Sequence, residues 1–451
     1  MAKRNRDMCQ GPLFGNIVVY TIPVILTGLL QLLFNAADLM IVGRLCGSVY
    51  VSAVGATTSL IHLITNLFIG LSVGAGVAVA HAIGAGDHKM VHRTVHTSIP
   101  TALISGVFLT IIGIMFSGEF LIWMGTPKAT LALSTTYMRI YFVGITASML
   151  YNFGAAILRA AGDTKGPLIY LTLSGVLNVV LNIVFVLLFG MDVDGVAWAT
   201  TISQVLSAVL VLRALMLRHD SCRLKLKSMR FYKAPMLNLL KIGVPAGIQG
   251  SLFSISNVII QSSVNAYGTV VVAGNSAAGT LEGFVYTAMN SFHQTALNFI
   301  GQNVGAKQYK RTKKILWICL GCVLVVGGVC GGAFYLLGRP LLSIFISDSA
   351  EAIGYGMIRM SFICLPYFVC GLMDVTTGAI RGMGVSVTPM IITVLGVCGL
   401  RIGWIYTVYQ IPAYHTLSCL YFSYIVSWTV TFLVELVAFF IFYRRRIRLH
   451  S

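Results

Sequence analysis

The chain has 451 residues, of which 57% are hydrophobic and only 10% are charged, and its mean hydropathy is +0.87. Soluble domains carry about a quarter charged residues, so this composition excludes a water-soluble protein and indicates a polytopic membrane protein. The 31 Lys and Arg residues exceed the 13 Asp and Glu residues by 18 charges. In a soluble protein such an excess would suggest nucleic-acid binding, so the positions of the basic residues decide the interpretation.

Twelve segments are long and apolar enough to cross a bilayer, which requires about 20 residues for each helix. The predicted spans are residues 14–42, 51–82, 94–116, 133–158, 167–189 and 196–216, followed by 242–266, 271–300, 315–337, 356–380, 387–408 and 417–443. A basic connector at 217–241 separates the two sets. The sequence therefore predicts an all-α polytopic membrane protein with two pseudo-symmetric six-helix lobes, 14–216 and 242–443, and short cytoplasmic ends at 1–13 and 444–451.

The Lys and Arg residues fall mainly on one side of the predicted membrane. When loops are assigned to alternate sides, all but six of these residues share the side of both termini. The six exceptions are Arg44, Lys128, Arg139, Arg339, Arg359 and Arg401. Because cytoplasmic loops retain positive charge, we expect both termini in the cytoplasm and the protein in the cell membrane. The excess charge thus indicates orientation in a bilayer, and no nucleic-acid partner is expected.

The chain contains an internal repeat with an offset of 222 residues. The matched pairs are Pro23 and Pro245, Asn35 and Asn257, Arg159 and Arg381, Gly162 and Gly384, and Pro167 and Pro389. Collinear matches of this kind favour duplication of a six-helix unit. Duplicated halves of equal orientation enclose a cavity in parallel-repeat transporters, whereas a duplication without transport is the alternative.

Short motifs are distributed over nearly the whole chain. They are TIP in the first span, NAADLMIVGRL at its end, IGAGDHKMVHR after the second span, ILRAAGDTKGP before the fifth, LNVVLNIVFV, GVAWATTISQ, and FIGQNVGAKQYKR after the eighth. Together these motifs resemble those of the multidrug and toxic compound extrusion (MATE) family. The resemblance implies a two-lobed exporter that couples efflux of amphipathic, often cationic compounds to inward movement of protons or sodium ions, without another cofactor.

Four acidic residues lie at membrane depth, where a charged side chain is costly and is a functional candidate by default. They are Asp38, Glu282, Asp374 and Glu435. Asp38 matches the family's acidic position in the first helix, so the resemblance implies that it couples transport to an ion. Pro23, earlier in the same span, is the expected bend of that helix. The alternative is an interfacial Asp38 that only marks the helix end.

The resemblance also implies that Asn178, Asn182 and Thr200 lie near that acid. Asn178 and Asn182 are one helical turn apart, so both can face Asp38 from the same side of a helix. Many relatives carry Asp at the position of Asn182. The loss of that charge weakens the attraction for Na⁺, whereas one carboxylate suffices for one proton, so we favour H⁺ as the coupling ion. The alternative is that the two Asn residues only join helices.

Glu282 and Glu435 allow different interpretations. Glu282 lies among aromatic and small residues, where it can attract a cationic compound or carry a second proton. Its alternative is an ion pair or hydrogen bond with a donor such as Arg401 or Gln294. Glu435 precedes Arg444 and is expected to extend to the membrane interface.

Further polar residues are candidates for the substrate cavity. Asp374 corresponds to Asn152 in the repeat, so a polar residue recurs at equivalent places in the two lobes. Asn35 and Asn257 recur in the same way. Gln249 lies early in the seventh span, where some relatives have an acid. A cavity that binds amphipathic compounds needs few such polar groups among apolar and aromatic walls.

Two other classes of function remain as alternatives. A flippase for a lipid-linked molecule should display a cationic cavity, and Arg401 is the only Arg expected deep in a span. An intramembrane enzyme needs paired acids, a His-metal cluster or a nucleophile with a base, and His88, His92 and His96 share a helix face without a carboxylate. We expect no enzyme activity, no metal site and no disulfide framework. The expected partners are small amphipathic molecules and the lipid bilayer, and we expect a monomer.

Overall fold

The computed structural model describes residues 8–46, 48–346 and 349–448, so parts of the predicted ends, 1–7 and 449–451, lie outside the described residues. The regular structure within these ranges is helical. The α-helices are α1 (Leu13–Leu45), α2 (Ser48–Gly84), α3 (His88–Trp123), α4 (Lys128–Ala160), α5 (Lys165–Ile183), α6 (Val193–Met216), α7 (Lys233–Asn265), α8 (Thr269–Gly305), α9 (Tyr309–Leu336), α10 (Gly338–Ser343), α11 (Ala350–Phe362), α12 (Tyr367–Gly382), α13 (Val387–Thr393), α14 (Leu400–Tyr406) and α15 (Leu417–Arg448). A π-helical turn follows α5 at Val184–Leu188, and another joins α13 to α14 at Val394–Gly399.

Ten spans in the described part of the chain are long and apolar enough to cross a membrane. The helices α11 and α12 together make an eleventh, bent by 46°. The sequence treats this region, 356–380, as one span, but Pro366 lies at the bend and lacks the N–H that a continuous helix needs. The helix α8 has 37 residues but is not among these spans. Polar residues such as Asn275, Glu282 and His293 interrupt its sequence and lower its hydropathy.

The helices form two compact units. Unit 1 contains Ile22–Ser251, and unit 2 contains Met8–Thr21 together with the chain from Leu252 onward. The chain passes from one unit to the other inside α1, next to Pro23, and inside α7. Unit 1 therefore contains the first 19 residues of α7, and unit 2 contains the first nine residues of α1.

Unit 1 is built around α4, which packs against α2, α3 and α6. The first half of α7 packs closely against α2 through glycines. A Cβ atom at Gly70 would overlap the backbone nitrogen of Gly247, and one at Gly74 would overlap the carbonyl oxygen of Leu239. Small residues at such positions allow two helix backbones to approach in a membrane protein.

Unit 2 is built around α8 and α12, with α9, α11 and α15 packed against them. The first nine residues of α1 pack on α8. The hydroxyl groups of Thr21 and Thr295 are 2.8 Å apart, and the rings of Tyr20 and Phe299 meet edge to face at 5.3 Å. The amide of Asn303 also donates to the carbonyl oxygen of Met8 at 3.0 Å. These contacts fix the start of α1 within unit 2.

Candidate functional site

Unit 1 contains a cavity of about 280 Å³ between α1, α2, α4, α5 and α6. Asp38 is the only carboxylate among the residues that line it, and none of those residues is Lys or Arg. Four more of the predicted site residues, Asn35, Asn152, Asn178 and Thr200, line the same cavity. Its lining therefore combines apolar and polar side chains, and Asp38 is the one group in it that becomes negatively charged.

A directional chain of hydrogen bonds ends at Asp38. The hydroxyl of Thr200 donates to the carbonyl oxygen of Val196 at 3.0 Å, so its oxygen accepts from Asn178 Nδ2 at 3.3 Å. Asn178 Oδ1 then accepts from Asn182 Nδ2 at 3.3 Å, and the same nitrogen donates to Asp38 Oδ1 at 2.5 Å. Asn182 Nδ2 thus donates to both Asn178 and Asp38, although Asn182 lies 144 residues from Asp38 in sequence.

Asn182 itself is fully buried, and its Oδ1 has no hydrogen-bond partner among the described residues. A buried carbonyl oxygen without a partner costs free energy unless a proton donor or a cation reaches it. This oxygen lies on the side chain that contacts Asp38. The pair therefore offers one ionisable carboxyl group and one neutral oxygen acceptor.

Unit 2 contains a second cavity, of about 300 Å³, and an ion pair forms part of its lining. Arg359 Nε lies 3.0 Å and 3.2 Å from the two carboxylate oxygens of Glu282, and its Nη2 lies 2.8 Å from Oε2. Arg359 Nη1 also donates to Asn275 Oδ1 at 2.7 Å. The partner of Glu282 is therefore Arg359, and neither Arg401 nor Gln294 takes that place.

Aromatic rings, amides, isoleucines and glycines form the rest of this second cavity. Tyr286 and Tyr367 stack with ring centroids 6.0 Å apart, and Tyr424 and Asn257 also line the space. Because Arg359 neutralises Glu282, this cavity has no net charge from its lining. Its chemistry differs from that of the cavity in unit 1, which has a lone carboxylate.

Three arginines of unit 2 are buried or largely buried, whereas the sequence interpretation expected only Arg401 deep in a span. Arg401 lies over the ring of Tyr424 at 4.0 Å and donates to Ser427 Oγ at 2.9 Å. Its Nη2 has no hydrogen-bond partner among the described residues. Arg359 and Arg381 are the other two. Their burial was not predicted because each lies near the end of an apolar segment.

The remaining predicted site residues lie elsewhere. Asp374 is buried on α12, lines neither cavity, and its carbonyl oxygen accepts a hydrogen bond from His293 Nδ1 at 2.7 Å. Gln249 is buried in the half of α7 that belongs to unit 1, also outside both cavities. Pro23 lies within α1, which continues through it, and its carbonyl oxygen accepts from the Thr27 hydroxyl at 2.7 Å.

The expectation that Glu435 extends to the membrane interface is wrong. The side chain is completely buried in unit 2, where it meets the hydroxyl groups of Thr377 and Thr393. Nine residues separate it from Arg444, which is about 14 Å along a helix and more than a Glu side chain can reach. Counting helical turns would have revealed this from the sequence.

Comparisons with known proteins identify the family. A family model described as MatE matches residues 23–184 and 245–407, one match in each half of the repeat. The chain is 27% identical over 393 residues to the "Probable multidrug resistance protein YoeA" of Bacillus subtilis, covering 85% of this chain and 84% of that protein. It is 21% identical over 375 residues to the "Multidrug export protein MepA" of Staphylococcus saprophyticus, covering 83% of each.

The fold comparison agrees. A solved structure titled "Outward-facing conformation of a multidrug resistance MATE family transporter of the MOP superfamily" superposes with a TM-score of 0.92 at 21% identity, over 99% of this chain and all of that one. The predicted fold class, an all-α membrane protein of twelve helices in two lobes, is confirmed by this match. With both halves of the repeat matched by the family model, the chain belongs to the MATE family of multidrug and toxic compound extrusion transporters.

Proposed function

We propose that the protein is a secondary active exporter that exchanges amphipathic, often cationic compounds for protons, with Asp38 as the proton carrier. The observation that carries this proposal is the lone carboxylate of Asp38 in the cavity of unit 1, which has no Lys or Arg in its lining. Relatives named as multidrug resistance and multidrug export proteins support the substrate class.

The charge of Asp38 links the binding of the proton to the binding of the cationic compound. An ionised Asp38 gives the cavity one negative charge, which either a monovalent cationic compound or one proton can neutralise. Binding both would leave an uncompensated positive charge in a site of low dielectric constant, which is unfavourable. Proton and cation therefore compete for the same group, and this competition is the physical basis of antiport.

The choice of H⁺ over Na⁺ follows from the ligands. Na⁺ needs several oxygen ligands and gains from more than one negative charge, whereas the site has one carboxylate and the neutral Oδ1 of Asn182. A proton needs only one carboxylate oxygen. Asn182 then orients the carboxyl group of Asp38. Its amide donates a hydrogen bond to the ionised carboxylate and accepts one from the protonated carboxyl group.

Transport follows an alternating-access cycle in this proposal. Protonation of Asp38 from outside removes the negative charge, releases the bound cation outward and allows α1 to repack near Pro23. Deprotonation toward the cytoplasm restores the charge for the next substrate. The protein works in the cell membrane with both termini in the cytoplasm and acts as a monomer.

The test is efflux of a cationic dye from vesicles containing the purified protein, driven separately by a proton gradient and by a sodium gradient. Asp38→Asn should abolish proton-driven efflux, while Glu119→Gln, which removes an exposed carboxylate of α3, should leave it unchanged. Both variants should insert and purify normally. Undiminished efflux by Asp38→Asn, or efflux driven by sodium alone, would contradict the proposal.

A lipid-flip measurement on the same vesicles tests the alternative function. A flippase would move a fluorescent phospholipid between the two leaflets, whether or not an ion gradient drives dye efflux. We expect no acceleration of lipid movement over protein-free vesicles. Rapid lipid movement in the absence of dye efflux would favour the flippase.

A further inference from the structure

Glu435 is a buried carboxyl group in unit 2 that has no part in the ion-coupling site of unit 1. It lies 18 residues into α15 and is 0% exposed. The hydroxyl oxygen of Thr377 on α12 lies 2.8 Å from each of its carboxyl oxygens, and that of Thr393 on α13 lies 3.0 Å from Oε1. Two neutral hydroxyl groups from two other helices therefore hold it.

The hydrogen atoms at this contact can be counted. A hydroxyl group has one proton to donate, and the Thr393 hydroxyl also contacts the carbonyl oxygen of Pro389. A carbonyl oxygen can only accept, so the proton of Thr393 is used there. The contact between Thr393 Oγ1 and Glu435 Oε1 is then a hydrogen bond only if Glu435 supplies the proton. Thr377 donates to the remaining oxygen, and all three groups are satisfied by a protonated Glu435.

The charges around Glu435 agree with this count. No Lys, Arg or His nitrogen lies within 4.0 Å of its carboxyl oxygens in the part of the chain that the structure describes. The charged groups nearest to it are Asp374 and Arg381, on α12 one turn to either side of Thr377. Two carboxylates and one guanidinium would carry a net charge of −1 in a buried place, and one bound proton makes the cluster neutral.

Other ionisable groups on the helices packed against α15 contact residues other than Glu435. Among them are Lys313 at the ring of Phe440, Arg401 at Ser427, Arg359 at the ring of Tyr421, and Cys398, whose thiol donates to the carbonyl oxygen of Leu252. The local charge balance at Glu435 therefore depends on Asp374 and Arg381.

The arrangement is confined to unit 2. At the repeat offset of 222 residues, the positions of Thr377, Thr393 and Glu435 are occupied in unit 1 by Ala155, Leu171 and Arg213. The first half of the chain thus has its carboxyl group on α1, and the second half has its own on α15. The two carboxyl groups therefore do not occupy equivalent positions of the repeat.

We propose that Glu435 is a second proton-binding group of the transport cycle, so that each exported molecule is exchanged for two protons. This proposal rests on the proposed proton-coupled efflux. In the conformation described, Glu435 holds its proton against Thr393. During the cycle the O–H bond breaks, the proton passes to water at the predicted cytoplasmic side, and the carboxylate left behind keeps the hydrogen bond from Thr377 and the attraction of Arg381.

In this proposal the proton leaves along α12. α12 ends at Gly382, five residues or about 8 Å beyond Thr377, so the predicted cytoplasmic surface is close. One turn in the opposite direction, Asp374 Oδ2 is buried without a hydrogen-bond partner among the described residues and is the next acceptor toward the interior. Glu435 lies between these two points.

The number of protons exchanged for each substrate molecule tests the proposal. In vesicles clamped at zero membrane potential, the substrate gradient at which net flux stops grows by about tenfold per pH unit for each coupled proton. We expect about a hundredfold per pH unit for the wild type and about tenfold for Glu435→Gln. Glu119→Gln, which removes an exposed carboxylate of α3, should retain the steeper dependence.

The outcomes separate this proposal from the proposed function. A wild-type dependence of about tenfold per pH unit, or an unchanged dependence in Glu435→Gln, overturns the second proton site while leaving proton-coupled efflux intact. Loss of the proton dependence in the wild type itself would overturn the proposed function.

Infrared spectroscopy gives a readout that does not depend on transport. The wild type should show the C=O band of a protonated carboxyl group that is missing in Glu435→Gln and shifted in Thr393→Val. The band should weaken when the vesicles are driven through turnover. A wild type without this band, or with a band that turnover does not change, would show that Glu435 carries no transported proton, and the shift expected in Thr393→Val provides the comparison if the Gln variant does not fold.

Discussion

Replacement of Asn182 by Asp places a second carboxyl group against Asp38. The donor nitrogen of Asn182 lies 2.5 Å from Asp38 Oδ1, so the new carboxylate would occupy almost the same place. With charge centres about 4 Å apart and an effective dielectric constant of about 20, two ionised carboxylates repel each other by about 4 kcal/mol. A repulsion of this size changes a binding equilibrium by about a thousandfold.

The pair can avoid the repulsion by binding one cation between its oxygens. Asn182→Asp should therefore gain sodium-driven efflux, which we expect to be absent in the wild type, because Na⁺ now finds two carboxylates instead of one. The assay is dye efflux from vesicles under separate proton and sodium gradients. The double variant Asp38→Asn with Asn182→Asp returns the site to a single carboxylate and should lose the sodium response.

The reasoning would be refuted by an Asn182→Asp variant that folds, transports with protons as the wild type does, and ignores sodium. It would equally be refuted if the double variant kept the sodium response, since one carboxylate would then be sufficient for Na⁺. In either case the number of carboxylates would not determine the coupling ion.

Three further predictions concern stability and reactivity. Gly70→Ala should destabilise the protein by about 1–3 kcal/mol through backbone overlap, measured by thermal unfolding in detergent, whereas Gly328→Ala, with open space around it, should not. Arg359→Gln leaves Glu282 buried without its partner and should cost about 3–5 kcal/mol in the same measurement, so an unchanged unfolding temperature would contradict the ion pair. Burial raises the pKa of the Cys222 thiol to about 12, so the thiol stays protonated at pH 8; maleimide should label it only after unfolding, and rapid labelling of the folded protein would contradict this.

The sequence predicts the elements of this fold well because a bilayer imposes a minimum length on each apolar segment. It also predicts that Asn178 and Asn182 share a helix face, since their spacing is one turn. The bend between α11 and α12 was missed, although Pro366 marks it. A single proline that interrupts a helix is easily overlooked inside a continuous apolar run.

Partners across helices could not be predicted in the same way. Glu282 pairs with Arg359, 77 residues away, and this depends on how α8 and α11 are rotated about their axes. Helices that are apolar on most of their surface carry little pattern that fixes such a rotation. The same limitation hid the contact of Glu435 with Thr377 and Thr393, which come from two other helices.

The division of α1 and α7 between the two units has a consequence for the origin of the fold. Each half of the sequence gives the first part of its leading helix to the unit that the other half builds. This is the topology of a domain-swapped homodimer joined into one chain, with the basic connector as the joint.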